Sequence, residues 1–162
     1  YLNENFKQAI AYRKSLRSPS RRQMRQRANE VGPRMFEAAE IRALVGAAGP
    51  QMRAMILLGI NCAFGPRDCG TLPIERLDLT NGFHNYWRPK THNPRRCPLW
   101  PETVAALQEV IGDGKEGEVF DRQGESWALE DGDRNSPISA AFRRLAKRVG
   151  VYRKNVTVFY SL

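Results

Sequence analysis

A stripe of apolar residues, Met52, Met55, Ile56, Gly59, Ile60 and Ala63, recurs at helical spacing and runs straight into Phe64-Gly65-Pro66-Arg67. Pro50 suits the first position of that helix, and Gly65-Pro66 ends it. A helix this apolar is buried on much of its circumference, so the rest of the chain must supply amphipathic partners. Three patterns do. Ile41, Leu44, Val45 and Ala48 form one helical stripe, with Glu37 and Glu40 in the first turn to suit the helix dipole. Val104, Leu107, Val110 and Ile111 form a second, after Pro101. Ile138, Ala141, Phe142, Leu145, Ala146 and Val149 form a third, opened by Ser136-Pro137 and stopped by Gly150.

Between these helices the period changes. Leu77-Asp78-Leu79 leads into the turn signal Thr80-Asn81-Gly82, and Phe83 to Arg88 has strand character. Pro89-Lys90-Thr91-His92-Asn93-Pro94 interrupts it and Arg95 to Leu99 returns, which predicts a β-hairpin with a basic, Pro-flanked tip. Val119-Phe120 reads as a short strand, residues 121–135 as a polar surface segment, and 156–162 as a further element. The expected class is mainly α with a small antiparallel β-sheet.

With 26 basic against 17 acidic side chains the chain carries +9, which favours a polyanionic partner, nucleic acid first and an anionic membrane second. The excess is uneven. Residues 7–34 hold nine basic residues against Glu30 alone, including Arg21, Arg22, Arg25 and Arg27. That segment, poor in apolar residues, reads either as a solvated linker or as a strap along a phosphate backbone. Residues 1–34 are therefore set apart as a helix (3–17) and basic linker, and 35–162 as a compact domain. No apolar run reaches the roughly 18 residues of a membrane span, and no signal-peptide pattern opens the sequence. Tyr1 is not a usual start, so a preceding segment is expected. Cys62, Cys69 and Cys97 form no C-x-x-C pair, and with His84 and His92 they match no zinc spacing. They read as reduced packing thiols, and neither metal nor cofactor is expected.

The order of elements is specific: an amphipathic helix, an apolar helix ending Gly-x-Arg, a Leu/Asp stretch, a hairpin with Lys-Thr at its tip, a Pro-started helix after Pro-Leu, and a basic-faced helix ending Lys-Arg-x-Gly-Val. This order resembles the catalytic domain of the tyrosine recombinases, the phage integrase family. The family's Thr-Gly-x-Arg-x-x-Glu-Leu type motif is matched by Phe64-Gly65-Pro66-Arg67-Asp68-Cys69-Gly70-Thr71-Leu72, and its hairpin lysine by Lys90-Thr91-His92, with Pro98-Leu99 following. There are two departures. Gly70 stands where the family has an acidic residue, which leaves Asp68 as the candidate to buttress Arg67. Tyr160 stands at the histidine of the family's His-x-x-Arg box, and the sequence ends one residue before that box's arginine.

The resemblance implies a DNA breaking-and-rejoining fold over about Met35 to Leu162, preceded by a basic linker that joins it to a core-binding domain, of which the helix at 3–17 would be the end. It implies a site-specific recombinase on double-stranded DNA, performing integration, excision or resolution through a 3′-phosphotyrosyl intermediate. It also implies a tetramer on DNA (a monomer remaining compatible with its absence), location in the cytoplasm with the nucleoid, and no cofactor. Arg67 would bind the phosphate, the alternative being a cap on helix carbonyls or a pair with Asp68. Lys90 would be the general acid, and Tyr160 a neutral hydrogen-bond donor or else an aromatic packed on the last helix. His92, Arg95, Arg96, Arg143, Arg144 and Lys147 would contact DNA as a group, each alternatively a solvated side chain. None of the five tyrosines sits where the family keeps its nucleophile, so this segment is expected to bind DNA without completing strand transfer. The alternative function is a catalytically inactive DNA-binding relative.

Overall fold

The computed structural model describes residues 18–31, 35–114, 116–122, 124–127, 136–153 and 159–162. The expected helix over 3–17 and most of the polar segment before Ser136 lie outside the described residues. The chain divides into two compact units, Tyr1–Pro33 and Arg34–Leu162.

In the first unit, helix α1 spans Arg21–Val31. The stretch read above as an apolar-poor linker is thus helical from Arg21 onward. The reason is local: Ser20 Oγ accepts the Gln23 N–H (3.3 Å) while Gln23 Oε1 accepts the Ser20 N–H (2.9 Å), a reciprocal capping box. Arg21, Arg22, Arg25 and Arg27 are all exposed on it.

The second unit is a helical layer with a small sheet on one side. Helix α2 (Ala38–Ala47) is started by Glu40, whose carboxylate accepts the Glu37 N–H at 2.8 Å. Helix α3 (Pro50–Cys62) buries Ala54, Met55, Ile56, Leu58 and Cys62, a wider face than the stripe suggested. Ala63, counted in that stripe, is instead exposed: it is the left-handed C-cap of α3 (φ 53°), so its Cβ leaves the helix face. Short helix α4 (Pro66–Gly70) follows at once.

Strands β1 (Leu77–Asp78), β2 (Phe83–Asn85) and β3 (Arg96–Pro98) form an antiparallel sheet in that order, with β3 at an edge. The register sets His84 opposite both Leu77 and Cys97. Helix α5 (Pro101–Ile111) packs against α3, and α6 (Pro137–Val149) against α2. Ser136 caps α6, accepting the Ser139 N–H, and Gly150 ends it at φ 82°. The core runs through Leu44, Met55, Leu58, Leu72, Leu107, Phe120 and Ile138, all fully buried. Phe142 stacks edge-on to Phe36 (5.8 Å) and to Phe159 (5.7 Å).

Val119 and Phe120 are buried but form no strand; the segment makes a single bridge, Pro73 to Glu118. The bridge is held by the Ile74 N–H to Gly117 O (2.8 Å) and the Val119 N–H to Leu72 O (2.9 Å), and the chain turns at once into a 3₁₀ helix, Ile74–Arg76, which ends the pairing on that side. Part of the polar segment folds instead into a small hairpin, β4 (Asp121–Arg122) and β5 (Glu125–Ser126). Among the described residues no helix is long and apolar enough to cross a membrane.

Candidate nucleic-acid interface and catalytic site

Arg67 lies in the first turn of α4, exposed, one residue after Pro66. The turn is held from several directions. Asp68 is only 5% exposed, and its carboxylate accepts the Gly65 N–H at 2.8 Å. Thr71 Oγ1 donates to the Arg67 carbonyl (2.8 Å). Tyr86, just past β2, brings its hydroxyl to 2.8 Å from Thr71 O and 2.7 Å from Thr71 Oγ1. Burial pushes the Tyr86 phenol above its ordinary pKa, which keeps it a donor. The backbone that carries Arg67 is thereby tied to the strand that leads to Lys90.

Lys90 sits exposed at the tip of the β2–β3 hairpin. Arg88 closes that tip: its N–H donates to Asn93 O (3.0 Å), and its carbonyl accepts the N–H of Thr91 (3.1 Å) and of His92 (2.8 Å). His92 has φ 52° and an exposed ring. Tyr160 lies in a 3₁₀ turn, Phe159–Ser161, and its side chain is outside the described residues.

Arg95, expected to face DNA, is turned inward. Its guanidinium lies 4.4 Å from the centre of the Phe64 ring and donates to Cys62 O (3.4 Å), with Nη2 3.8 Å from Asp68 Oδ2. Its side chain is 22% exposed, and Nε and Nη2 are buried without a hydrogen-bond partner. The physical reason is Asp68: a buried carboxylate draws the nearest mobile cation, and Phe64 offers it a face. Asp68, proposed above as the buttress of Arg67, makes its described contacts to Gly65 and Arg95.

Arg96 remains exposed, over the Phe83 ring at 4.0 Å. Beside it, Arg76, Asn85, Trp87, Pro94, Arg95 and Arg96 line an open cleft of about 410 Å³. Arg76 stacks on Trp87 (4.2 Å), a cation and an aromatic face side by side. Neither was singled out in the sequence, although a Trp flanked by basic residues on a hairpin is a recognisable signal for nucleic acid. Arg143, Arg144 and Lys147 are exposed on α6, with Lys147 Nζ 5.1 Å from the Tyr152 ring.

The structure also gathers three residues that sequence spacing kept apart. Cys62, His84 and Cys97 bring one donor atom each within 4.8 Å of one another. Burial, with the Arg95 charge nearby, pushes the His84 pKa down to about 4, so the ring is neutral.

No family model matches the chain, and no curated protein matches it by sequence. Among solved structures, the fold is similar to a crystal structure of XerA recombinase, with a TM-score of 0.64 and 20% identity over 82% of this chain. The match spans 48% of that recombinase's length, so this chain corresponds to about half of it. At this identity the likeness is one of fold: a mainly helical domain with small antiparallel sheets, similar to that of a recombinase.

Proposed function

We propose that the protein is a site-specific DNA recombinase of the tyrosine recombinase type, acting in the cytoplasm on nucleoid DNA. One observation carries the reading: a fold like that of a recombinase presents Arg67 in the first turn of α4 and Lys90 at a hairpin tip, both exposed and in the chain order that the motifs implied. Arg67 would hold the non-bridging oxygens of the scissile phosphate, where charge gathers in the transition state; its planar fork fits two oxygens. Such a preorganised donor contributes on the order of 3 kcal/mol. Lys90 would protonate the departing 5′-oxygen, a role open to an ammonium at hydrogen-bond reach of the leaving atom. Tyr160 would add a neutral hydrogen bond. The family's second arginine and nucleophilic tyrosine have no counterpart in residues 1–162, and the reading assigns them to other parts of a longer protein.

Around the site, Arg76 and Trp87 join Arg96 and His92 as the near DNA contacts, and Arg143, Arg144 and Lys147 supply backbone contacts on α6. Arg21, Arg22, Arg25 and Arg27 present a basic helix in the other unit, suited to a phosphate backbone. Assembly into a tetramer on paired DNA sites belongs to the same reading.

A second reading, DNA binding without catalysis, is favoured by Gly70 and Tyr160 at positions where the family has an acid and a histidine. Arg67→Ala separates the two on a pool of nicked duplexes with the longer protein. A recombinase forms an SDS-resistant DNA adduct that Arg67→Ala abolishes at nearly unchanged affinity. A pure binder forms none, and the variant changes affinity alone.

A further inference from the structure

We propose that Cys62, Cys97 and His84 form a thiolate–imidazole site for a divalent cation of the Zn²⁺ class, clipping the β2–β3 hairpin to the end of α3. The donors come from three elements: Cys62 closes α3, while His84 and Cys97 face each other across β2 and β3. Their ligand atoms already lie within 4.8 Å of one another. Around a tetrahedral ion with metal–sulfur and metal–nitrogen bonds of about 2.3 and 2.0 Å, donors stand roughly 3.5–3.8 Å apart, so closure needs a contraction of about 1 Å. All three cysteines are free thiols, so both sulfurs are available.

A second observation concerns the same histidine. His84 is 0% exposed, and its Nε2 is buried with no hydrogen-bond partner. A buried ring nitrogen of this kind is rare without a reason, and an ion supplies one. Nδ1 accepts only a long contact from the Tyr86 N–H, at 3.3 Å. Ligation through Nε2 moves the ring proton to Nδ1 and gives up that weak bond.

The chemistry selects the metal. Two sulfurs and an imidazole are soft to borderline donors, suited to Zn²⁺ and unsuited to Mg²⁺ or Ca²⁺, which take oxygen. Two thiolates neutralise a dication, so the buried site carries no net charge beyond that of Arg95 alongside. Cys97 is half-buried on the edge strand, which gives an entry path and leaves a fourth position for water.

The inference does not depend on the DNA reading, since its readout is metal binding. Reduced protein, stripped with chelator, is titrated with Co²⁺, whose thiolate charge-transfer and tetrahedral d–d bands report the ligands directly. The expected result is both bands, saturating at about one equivalent and lost on adding Zn²⁺. Cys97→Ser, at a half-buried edge position, should keep the native circular-dichroism spectrum and bind more than about 100-fold more weakly, since even residues one shell further out are worth about 10–100-fold. His84→Asn should do the same, and Cys69→Ser, whose sulfur lies outside the cluster, should leave the bands intact. The proposal is overturned if wild-type protein shows no thiolate–Co²⁺ band, if Cys97→Ser binds as wild type does, or if the protein comes from cells with a Cys62–Cys97 disulfide and no metal.

Discussion

Asp68 offers the sharpest test of how Arg67 is held. Asp68→Ala removes a charge-assisted hydrogen bond to the Gly65 N–H, present at 2.8 Å, worth about 1.5–3 kcal/mol. It also strands the Arg95 guanidinium, whose Nη2 has Asp68 as its ion-pair partner at 3.8 Å. Breaking a fully buried pair costs about 3–5 kcal/mol. Here the arginine side chain is 22% exposed and the contact is too long for a hydrogen bond, so about 1 kcal/mol is the reasonable share. Together the two losses give about 3 kcal/mol. Asp68→Asn keeps an acceptor for Gly65 and should cost only about 1–2 kcal/mol. Adding Arg95→Met to Asp68→Ala removes the stranded charge, so the double variant should be more stable than the sum of the singles predicts, by about 1 kcal/mol. Urea unfolding at neutral pH measures the wild type, Asp68→Ala, Asp68→Asn, Arg95→Met and the double variant, with the midpoint falling and the slope unchanged. A loss below about 0.5 kcal/mol for Asp68→Ala, or strict additivity in the double variant, would refute the reasoning.

Tyr86→Phe deletes the hydroxyl that reaches Thr71, and should lower stability by about 1 kcal/mol in the same urea assay; no change would mean the contact does not form. Cys69 is 0% exposed and burial raises its pKa well above that of an ordinary thiol, so it holds almost no thiolate even as pH passes 9. In metal-free native protein Cys97 should therefore be alkylated first and Cys69 last at every pH up to 9, read by mass spectrometry. Replacing Arg143, Arg144 and Lys147 together by Ala should reduce the slope of log affinity against log salt by up to about 2.7, at about 0.9 per phosphate contact. An unchanged slope would place the DNA elsewhere.

The parts of this fold that were legible in the sequence are those fixed by local rules. The stripes beginning at Ile41, Val104 and Ile138 each fall in a helix, because a 3.6-residue period with a glutamate, proline or serine start needs no distant partner, and only Ala48, the extended C-cap of α2, drops out. The hairpin around Lys90 followed from its turn residues in the same way. The Ser20–Gln23 cap is equally local, a serine three residues before a glutamine, but it sits in a segment whose composition is dominated by charge. What stayed hidden is non-local. Arg95 turns inward only because Asp68 and Phe64, some thirty residues earlier, wait there. Cys62, His84 and Cys97 have no spacing that signals a metal, because a cross-strand register and a helix end bring them together. β1 is two residues long and exists because β2 lies beside it.

If Arg67 and Lys90 divide the work of breaking a DNA phosphodiester, changing the leaving atom separates their roles. The longer protein and its Arg67→Ala and Lys90→Ala variants are given nicked duplexes whose 5′-bridging oxygen is oxygen or sulfur. A thiolate leaves without help, since its conjugate acid has a pKa near 8.5 against about 16 for water and alcohols. The account predicts that Lys90→Ala forms no covalent adduct with the oxygen substrate and recovers near wild-type yield with sulfur, whereas Arg67→Ala stays inactive with both. Equal rescue of the two variants, or of neither, would contradict the assignment.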